Sequence, residues 1–221
     1  MPPKKEYYRG YLPHFQQPGQ WYFITWILFD AIPKLAMRNY SEKLRTALFC
    51  YRNSLKNNSD PVVLAKHKRD YLLLRKKYFF QLEKILNQNL NGQFTLQKET
   101  NQKIIEDALK FWENKRLHSH AWCIMPNHVH WVVSIFKMDE KQRPVYLQDI
   151  LHSIKSFTAH QINKSEKTSG QVWMHESFDT TIRDEIHFNN VMDYTINNPE
   201  KAGLVKNWKE WPGTFIENGL I

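Results

Sequence analysis

The chain has 221 residues, of which 42% are hydrophobic and 14% aromatic, a composition that indicates a globular protein with a packed core. Its formal net charge of +9 favours a polyanionic partner such as nucleic acid, although basic proteins without such a partner are common. Cys50 and Cys123 are too few for a disulfide framework, and we find neither a membrane-spanning apolar stretch nor a signal peptide. We therefore expect a cytoplasmic protein with no membrane partner.

The first half of the chain contains an arm, a strand and a long helical segment. Residues 1–20 mix prolines, glycines, basic residues and tyrosines, which predicts an ordered arm without regular secondary structure. Residues 21–29, WYFITWILF, predict a strand that is either buried on both faces or covered by the arm. Helical spacing of apolar residues then dominates residues 40–118, with a break at residues 57–61. We interpret this segment as a helical insertion within a single domain over residues 1–221, and its basic runs as a solvated face or a phosphate track.

A pair of histidines lies in the apolar run AWCIMPNHVHWVVSIF, residues 121–136. Pro126 cannot donate a hydrogen bond to a strand ladder, so we expect a bend between two strand pieces. Side chains alternate along a strand, so His128 and His130 project from one face and can reach a single divalent ion. Ten histidines make chance pairs of this spacing common, and residues 118–120 form a second one. Spacing alone leaves a metal site and an ordinary buried pair both open.

Two amphipathic helices are predicted in the second half of the chain. The first covers residues 147–164 and carries Lys155 on its polar side. The second follows Asp184, a suitable N-cap, and presents Tyr194 and Asn198 on one face if it continues through both. The proline after Asn198 disfavours helix there, so Asn198 as the N-cap of a new turn and Tyr194 as an ordinary amphipathic tyrosine are the alternatives. Spacing alone favours these structural roles.

Several sequence motifs occur together in one known family. They are RGYLPHF with PGQWYFITW, MPNHVHW, ILHSIKSFTAHQIN, ESFD-x-x-IRDE-x-x-F and DY-x-x-x-NP-x-KAGLV. Over residues 7–36 and 119–213 they resemble, in the same order, the REP-associated tyrosine transposases, which are single-tyrosine HUH nucleases of bacteria. The resemblance implies an α+β fold with a ferredoxin-like antiparallel sheet, whose central strand carries the histidines opposite a helix that presents the tyrosine. The long helical insertion departs from the compact relatives.

The resemblance also implies an activity and a set of site residues. It implies a metal-dependent transposase that cleaves single-stranded DNA near hairpin-forming palindromic repeats through a 5′-phosphotyrosine intermediate. Tyr194 would be the nucleophile, and His128, His130 and Asn198 would hold Mg or Mn. The residues expected to bind DNA are Arg9, Tyr11 and His14 in the arm of residues 1–20 and Lys155 on the amphipathic helix. Glu176 is a candidate accessory base.

Two other functions stay open at this point. The first is a catalytically inactive regulatory protein that binds DNA hairpins and has kept the fold. The second is a metal-dependent hydrolase in which Tyr194 is structural. The sequence does not choose between Mg and Mn, between a monomer and a homodimer, or between a mobile and a domesticated role.

Overall fold

The fold was analysed in a computed structural model of the chain. It describes residues 7–9, 13–32, 34–88 and 96–220, and it describes side chains for residues 16–32, 42–88 and 96–220. The chain divides into two compact units, one formed by residues 1–29 with 91–221 and the other by residues 30–90. Within the described part of the chain, no helix combines the length and apolar character that a membrane span requires.

The larger unit has an α+β architecture built on a five-stranded antiparallel sheet. Along the chain, the strands are β1 (Tyr7–Arg9), β2 (Pro13–Phe15), β3 (Trp21–Ile27), β4 (Leu117–Ile124), β5 (His128–Ile135), β6 (Phe178–Thr181) and β7 (Thr214–Ile216). The helices are α1 (Lys34–Lys56), α2 (Pro61–Gln88), α3 (Glu99–Lys110), α4 (Leu147–Glu166), α5 (Glu185–Ile196) and α6 (Asn198–Lys201). The sheet order is β6-β3-β5-β4-β7, so the strand with both histidines is central. This confirms the predicted fold class.

The two faces of the sheet carry different side chains. β3 and β5 pair in an antiparallel register that sets Thr25 opposite His130. Because side chains alternate, His128 and His130 share one face, on which α5 packs. Trp131 projects from the opposite face and meets Trp26 edge to face, with ring centres 6.1 Å apart. The central strand is therefore buried on both sides.

The helix that carries the tyrosine begins where the sequence predicts. Asp184 is the N-cap of α5, and its carboxylate accepts a hydrogen bond from the backbone N–H of His187 at 2.7 Å. The apolar side of the helix faces the sheet; its buried residues are Val191, Met192, Thr195 and Ile196. The interpretation of Asn198 as an N-cap is wrong, because Asn197 occupies that position and Asn198 is the first residue of α6. Pro199 fits the first turn of α6, where no intrahelical N–H bond is needed.

The N-terminal arm differs from the prediction that it lacks regular structure. β1 and β2 pair as a short antiparallel ribbon, with Tyr8 opposite His14 and Arg9 opposite Pro13. Strands of three residues are too short to show alternation in the sequence, so the pattern of prolines and glycines dominates the prediction there.

The second unit, residues 30–90, contains α1 and α2, which pack against each other. The aromatic rings of Tyr51 and Tyr71 stack between these helices, with ring centres 6.1 Å apart. The chain turns at residues 57–60, in agreement with the predicted break. The unit differs from the predicted insertion at residues 40–118, because α1 already begins at Lys34 and α3 packs on α4 and β4 in the larger unit. Helical periodicity shows that α3 has an apolar side but not which element covers it.

Candidate metal centre and nucleophile

The imidazoles of His128 and His130 meet on the α5 side of the sheet. Both residues are fully buried, and their Nε2 atoms lie 2.9 Å apart. The two positions are separated by one residue of the central strand, so the pleat holds both rings on the same face. The structure therefore brings two nitrogen donors to one point, as the sequence predicts.

Each of these imidazoles is oriented through its other nitrogen. His128 Nδ1 lies 2.7 Å from Asn127 Oδ1, an acceptor that holds the proton on Nδ1. His130 Nδ1 lies 2.8 Å from Thr25 Oγ1, on the strand paired with β5. The lone pair of His128 Nε2 is consequently directed at His130 Nε2. Partners of this kind on the remote nitrogen fix imidazole orientation in metal sites.

Asn198 completes the cluster from α6. Its Nδ2 atom lies 3.1 Å from His130 Nε2, and the residue is almost fully buried. Its Oδ1 atom is buried without a hydrogen-bond partner among the described residues, although a buried polar atom usually has one. A half-turn of the amide plane exchanges the two atoms and directs the oxygen at the imidazoles. This oxygen is the atom that would bind a divalent ion beside the two histidines.

The charges at this site favour neutral imidazoles. Burial lowers the pKa of His128 to about 3. Burial, followed by the neighbouring His128 and Lys201, holds the pKa of His130 well below its usual range. Neutral imidazoles present the lone pairs that metal binding requires. Tetrahedral ligands with metal–nitrogen bonds of about 2.0–2.1 Å lie about 3.3 Å apart, so the observed spacing fits a shared ion after a small adjustment.

Tyr194 lies next to this cluster on α5. Its half-buried ring meets the imidazole of His130 edge to face, with ring centres 5.3 Å apart. A second edge-to-face contact, at 5.7 Å, joins it to Phe23 of β3. The exposed side chain of Lys201 places its ammonium 5.0 Å from the centre of the Tyr194 ring. The structure thus brings the tyrosine together with the histidine pair and Asn198.

The other residues expected to act lie elsewhere or outside the described side chains. The Lys155 ammonium donates to the backbone oxygens of Met174 and His175. Glu176 is buried, and while burial lowers the pKa of Lys155, the charge of Glu176 acts to raise it. The backbones of Arg9 and His14 lie in the β1–β2 ribbon, whereas Tyr11 lies outside the described residues. Their contacts with DNA, and the role of Glu176 as a base, stay predictions.

The sequence did not indicate three residues that shape this site. Thr25 reaches His130 through the register between two strands more than 100 residues apart, a relationship that no local pattern reveals. Asn127 lies in the bend before β5, and in the sequence its position in the PNHVH motif is the feature that indicates a role at this site. Lys201 lies in the KAGLV motif, close enough to Tyr194 in sequence to be expected near it.

Two known proteins resemble this chain, and no protein-family model matches it. A Haemophilus influenzae protein named "Putative REP-associated tyrosine transposase" is 31% identical over 97 residues, which are 42% of this chain and 54% of that protein. The matched region thus spans about half the length of the curated relative. A solved structure, "Structure of the REP associates tyrosine transposase bound to a REP hairpin", superposes with a TM-score of 0.45 at 17% identity, covering 95% of this chain and 81% of that one. Over the matched region, this chain is therefore similar to a protein that is named as a putative member of the family its motifs resemble.

Proposed function

We propose that this protein is a metal-dependent transposase that cleaves and rejoins single-stranded DNA near hairpin-forming palindromic repeats. The observation that carries the proposal is the convergence of Tyr194 and Asn198, from two successive helices, on His130 of the central strand. A tyrosine or a buried histidine pair with only a structural role does not require a phenol, an amide and an imidazole to lie together. The similarity to a relative named as a tyrosine transposase supports the same activity.

Tyr194 would be the nucleophile. Its phenolic oxygen attacks the phosphorus of a DNA phosphodiester, which forms a tyrosine–phosphate ester and breaks the bond between phosphorus and the 3′ oxygen. The phenol loses its proton to a base or to water, and the departing 3′ oxygen gains a proton as a free hydroxyl. Attack of that hydroxyl, or of another DNA 3′ end, reverses the step and joins the strands, because the ester conserves the energy of the broken bond.

His128, His130 and Asn198 are the residues that would hold a divalent ion. When bound, such an ion neutralises charge on a non-bridging phosphate oxygen and orients the phosphorus for attack. The family resemblance favours Mg or Mn, whereas two imidazole ligands favour Mn over Mg. The packing around the imidazoles keeps them buried and neutral, so both have the lone pairs that an ion requires.

Recognition of DNA would combine phosphate contacts with contacts to the hairpin. The formal net charge of +9 supplies attraction to a polyanion. The arm with Arg9, Tyr11 and His14 would read bases beside the hairpin, and Lys155 would contact a phosphate. The Haemophilus influenzae relative is named for its association with REP elements, and this supports a palindromic repeat as the target.

The test is to incubate the protein with a labelled single-stranded hairpin oligonucleotide and Mn²⁺, and to separate products under denaturing conditions. We expect a covalent protein–DNA adduct that Tyr194→Phe abolishes while hairpin binding is retained. Tyr146→Phe removes the same hydroxyl at a residue that lies before α4, and serves as the matched control.

The outcomes distinguish the proposal from its alternatives. An adduct that persists in Tyr194→Phe would exclude Tyr194 as the nucleophile. Hairpin binding without any adduct in the wild-type protein would favour the catalytically inactive DNA-binding regulator. Strand cleavage without a covalent adduct would favour a metal-dependent hydrolase in which Tyr194 is structural.

A further inference from the structure

A second cluster of histidines and carboxylates lies on the same sheet, at the other histidine pair of the sequence. His118 Nε2 lies 2.6 Å from one oxygen of Glu217, and His120 Nδ1 lies 3.0 Å from the other. Glu217 directly follows β7 and is tied to β4 by a hydrogen bond from its backbone N–H to the oxygen of His120. The carboxylate therefore lies between two imidazole nitrogens.

The pairing of β4 with β5 is irregular at this histidine pair. The pairing of β4 with β5 shifts register between Ser119 and Ala121, so His120 has no direct partner on β5. A bulge of this kind redirects a side chain. The rings of His118 and His120 meet edge to face, with ring centres 5.0 Å apart. A regular strand would also place both side chains on one face, and here the register shift lies at His120, whose ring contacts Glu217.

The remote nitrogens of both imidazoles are already engaged. His118 Nδ1 lies 2.7 Å from Glu113 Oε1, and His120 Nε2 lies 3.1 Å from Ser134 Oγ. The Ser134 hydroxyl donates to the backbone oxygen of His118, so its oxygen is left to accept the Nε2 proton of His120. This arrangement resembles the carboxylate–histidine–metal triads in which an outer acceptor fixes each ligand.

The hydrogen bonds of these imidazoles leave a position for a cation beside Glu217. A neutral His120 that donates through Nε2 presents a lone pair at Nδ1, and this lone pair faces a carboxylate oxygen of Glu217. The other carboxylate oxygen of Glu217 faces His118, so the position between the two imidazoles and the carboxylate attracts positive charge. A metal ion supplies that charge while leaving both outer hydrogen bonds in place.

We propose that His118, His120 and Glu217 bind a divalent transition-metal ion of the Zn²⁺ class, at a site separate from the histidine pair on β5. Two imidazoles and one carboxylate are a common zinc ligand set, with a fourth position left to water. His118 pairs with Ser134, four residues from His130, which is about 13 Å along a strand. The two sites are therefore too far apart to share one ion.

The surroundings of the cluster suit a structural ion. The His120 side chain is 7% exposed, whereas those of His118 and Glu217 are 36% and 32% exposed, so an ion can enter from one side. Trp21 of β3 stacks on the His120 ring at 4.4 Å, and Phe188 of α5 contacts that ring edge to face at 5.5 Å. The ion would fasten the end of β7 to β4 beneath the helix that carries Tyr194.

The test uses metal binding rather than reaction with DNA. The metal-free His130→Ala variant, in which the first site is disabled, is titrated with Co²⁺ while visible absorption is recorded, and Zn²⁺ is then used to displace it. We expect one Co²⁺ per chain, and at least about tenfold weaker binding when Glu217→Gln or His118→Ala is added. Glu113→Ala, which removes the outer acceptor of His118 and no proposed ligand, should weaken binding by about tenfold.

Glu140→Gln, an exposed residue outside the cluster, is the matched control and should bind Co²⁺ like the parent variant. Thermal unfolding of each metal-free variant shows whether it is folded, and His118→Ala provides a second route because its side chain is partly exposed. Unchanged Co²⁺ binding in both Glu217→Gln and His118→Ala would overturn the proposal. Absence of any bound Co²⁺ in the His130→Ala parent would overturn it as well.

Discussion

The Lys201 ammonium lies 5.0 Å from the centre of the Tyr194 ring. When the phenol loses its proton during attack, a positive charge this close stabilises the negative charge that develops, and opposite unit charges about 5 Å apart in water attract each other by about 0.8 kcal/mol. We therefore expect Lys201→Met to slow adduct formation by roughly threefold, and Lys201→Arg to retain the wild-type rate. The initial rate of adduct formation on a hairpin oligonucleotide at saturating Mn²⁺ measures this effect.

The control for this prediction is Lys209→Met. The Lys209 ammonium lies 5.6 Å from the centre of the Trp208 ring and so makes the same kind of contact away from the tyrosine. Equal rates in Lys201→Met and the wild-type protein would show that the cation does not assist Tyr194. Equal losses in both methionine variants would point to a general effect of charge on DNA binding.

Asn198 provides a second prediction, about metal affinity. Among the described residues its Oδ1 atom has no hydrogen-bond partner, and its Nδ2 atom contacts His130, so under the proposed function this amide would hold an ion beside the histidines. We expect Asn198→Ala to weaken Mn²⁺ binding at least about tenfold, and Asn198→Asp to retain it because a carboxylate oxygen replaces the amide oxygen. The signal of free Mn²⁺ in electron paramagnetic resonance gives the affinity. The measurement is made in the Glu217→Gln background, so that the second cluster does not contribute.

Asn197→Ala is the matched control for Asn198. Asn197 precedes it in the chain, and its amide nitrogen donates to the backbone oxygen of Asp193 at 2.8 Å, away from the imidazoles. We expect this variant to bind Mn²⁺ like the wild-type protein. Mn²⁺ affinity that is the same in Asn198→Ala and Asn197→Ala would argue against Asn198 as a ligand.

The sequence predicts those parts of the fold and site that depend on local periodicity. The shared face of His128 and His130 follows from the strand repeat, and the start of α5 follows from the capping preference of Asp184. The meeting of Thr25 with His130 depends on strand register, which is set by packing over the whole sheet. Tertiary packing likewise decides that Asn198 turns inward instead of capping α6, and family resemblance rather than spacing pointed to that role.

The buried histidines also predict how stability depends on pH. Burial lowers the pKa of His128 to about 3, whereas an imidazole in an unfolded chain has a pKa of about 6.5. The unfolded protein therefore takes up a proton between these values that the folded protein does not. The contribution of this imidazole to the free energy of unfolding is therefore fully present above about pH 6.5 and is lost as the pH falls toward about 3.

We expect this imidazole to contribute a loss of about 1 kcal/mol per pH unit in the metal-free protein. Urea unfolding at about pH 7 and about pH 5 measures the loss, and His128→Gln should reduce it. His152→Gln, on the exposed side of α4, is the control and should leave the loss unchanged. The same pH dependence in His128→Gln and wild-type protein would show that another group controls acid stability.

Lys155 is the expected DNA contact for which the structure suggests a structural role as well. Burial lowers the pKa of Lys155 to about 8. Its ammonium donates to the backbone oxygens of Met174 and His175, at 2.5 and 2.9 Å. Lys155 therefore links α4 to the segment before β6, and its contact with DNA stays a prediction.

We expect Lys155→Met to lower the free energy of unfolding by about 1–3 kcal/mol, because it leaves two backbone oxygens without their partner. If Lys155 contacts a phosphate, the slope of log affinity for a single-stranded hairpin against log salt concentration decreases by about 0.7–0.9. Lys164→Met, in the exposed last turn of α4, is the control and should leave stability unchanged. A wild-type salt slope in a folded Lys155→Met variant would remove Lys155 from the DNA interface, and unchanged stability would contradict its role in joining α4 to the chain before β6.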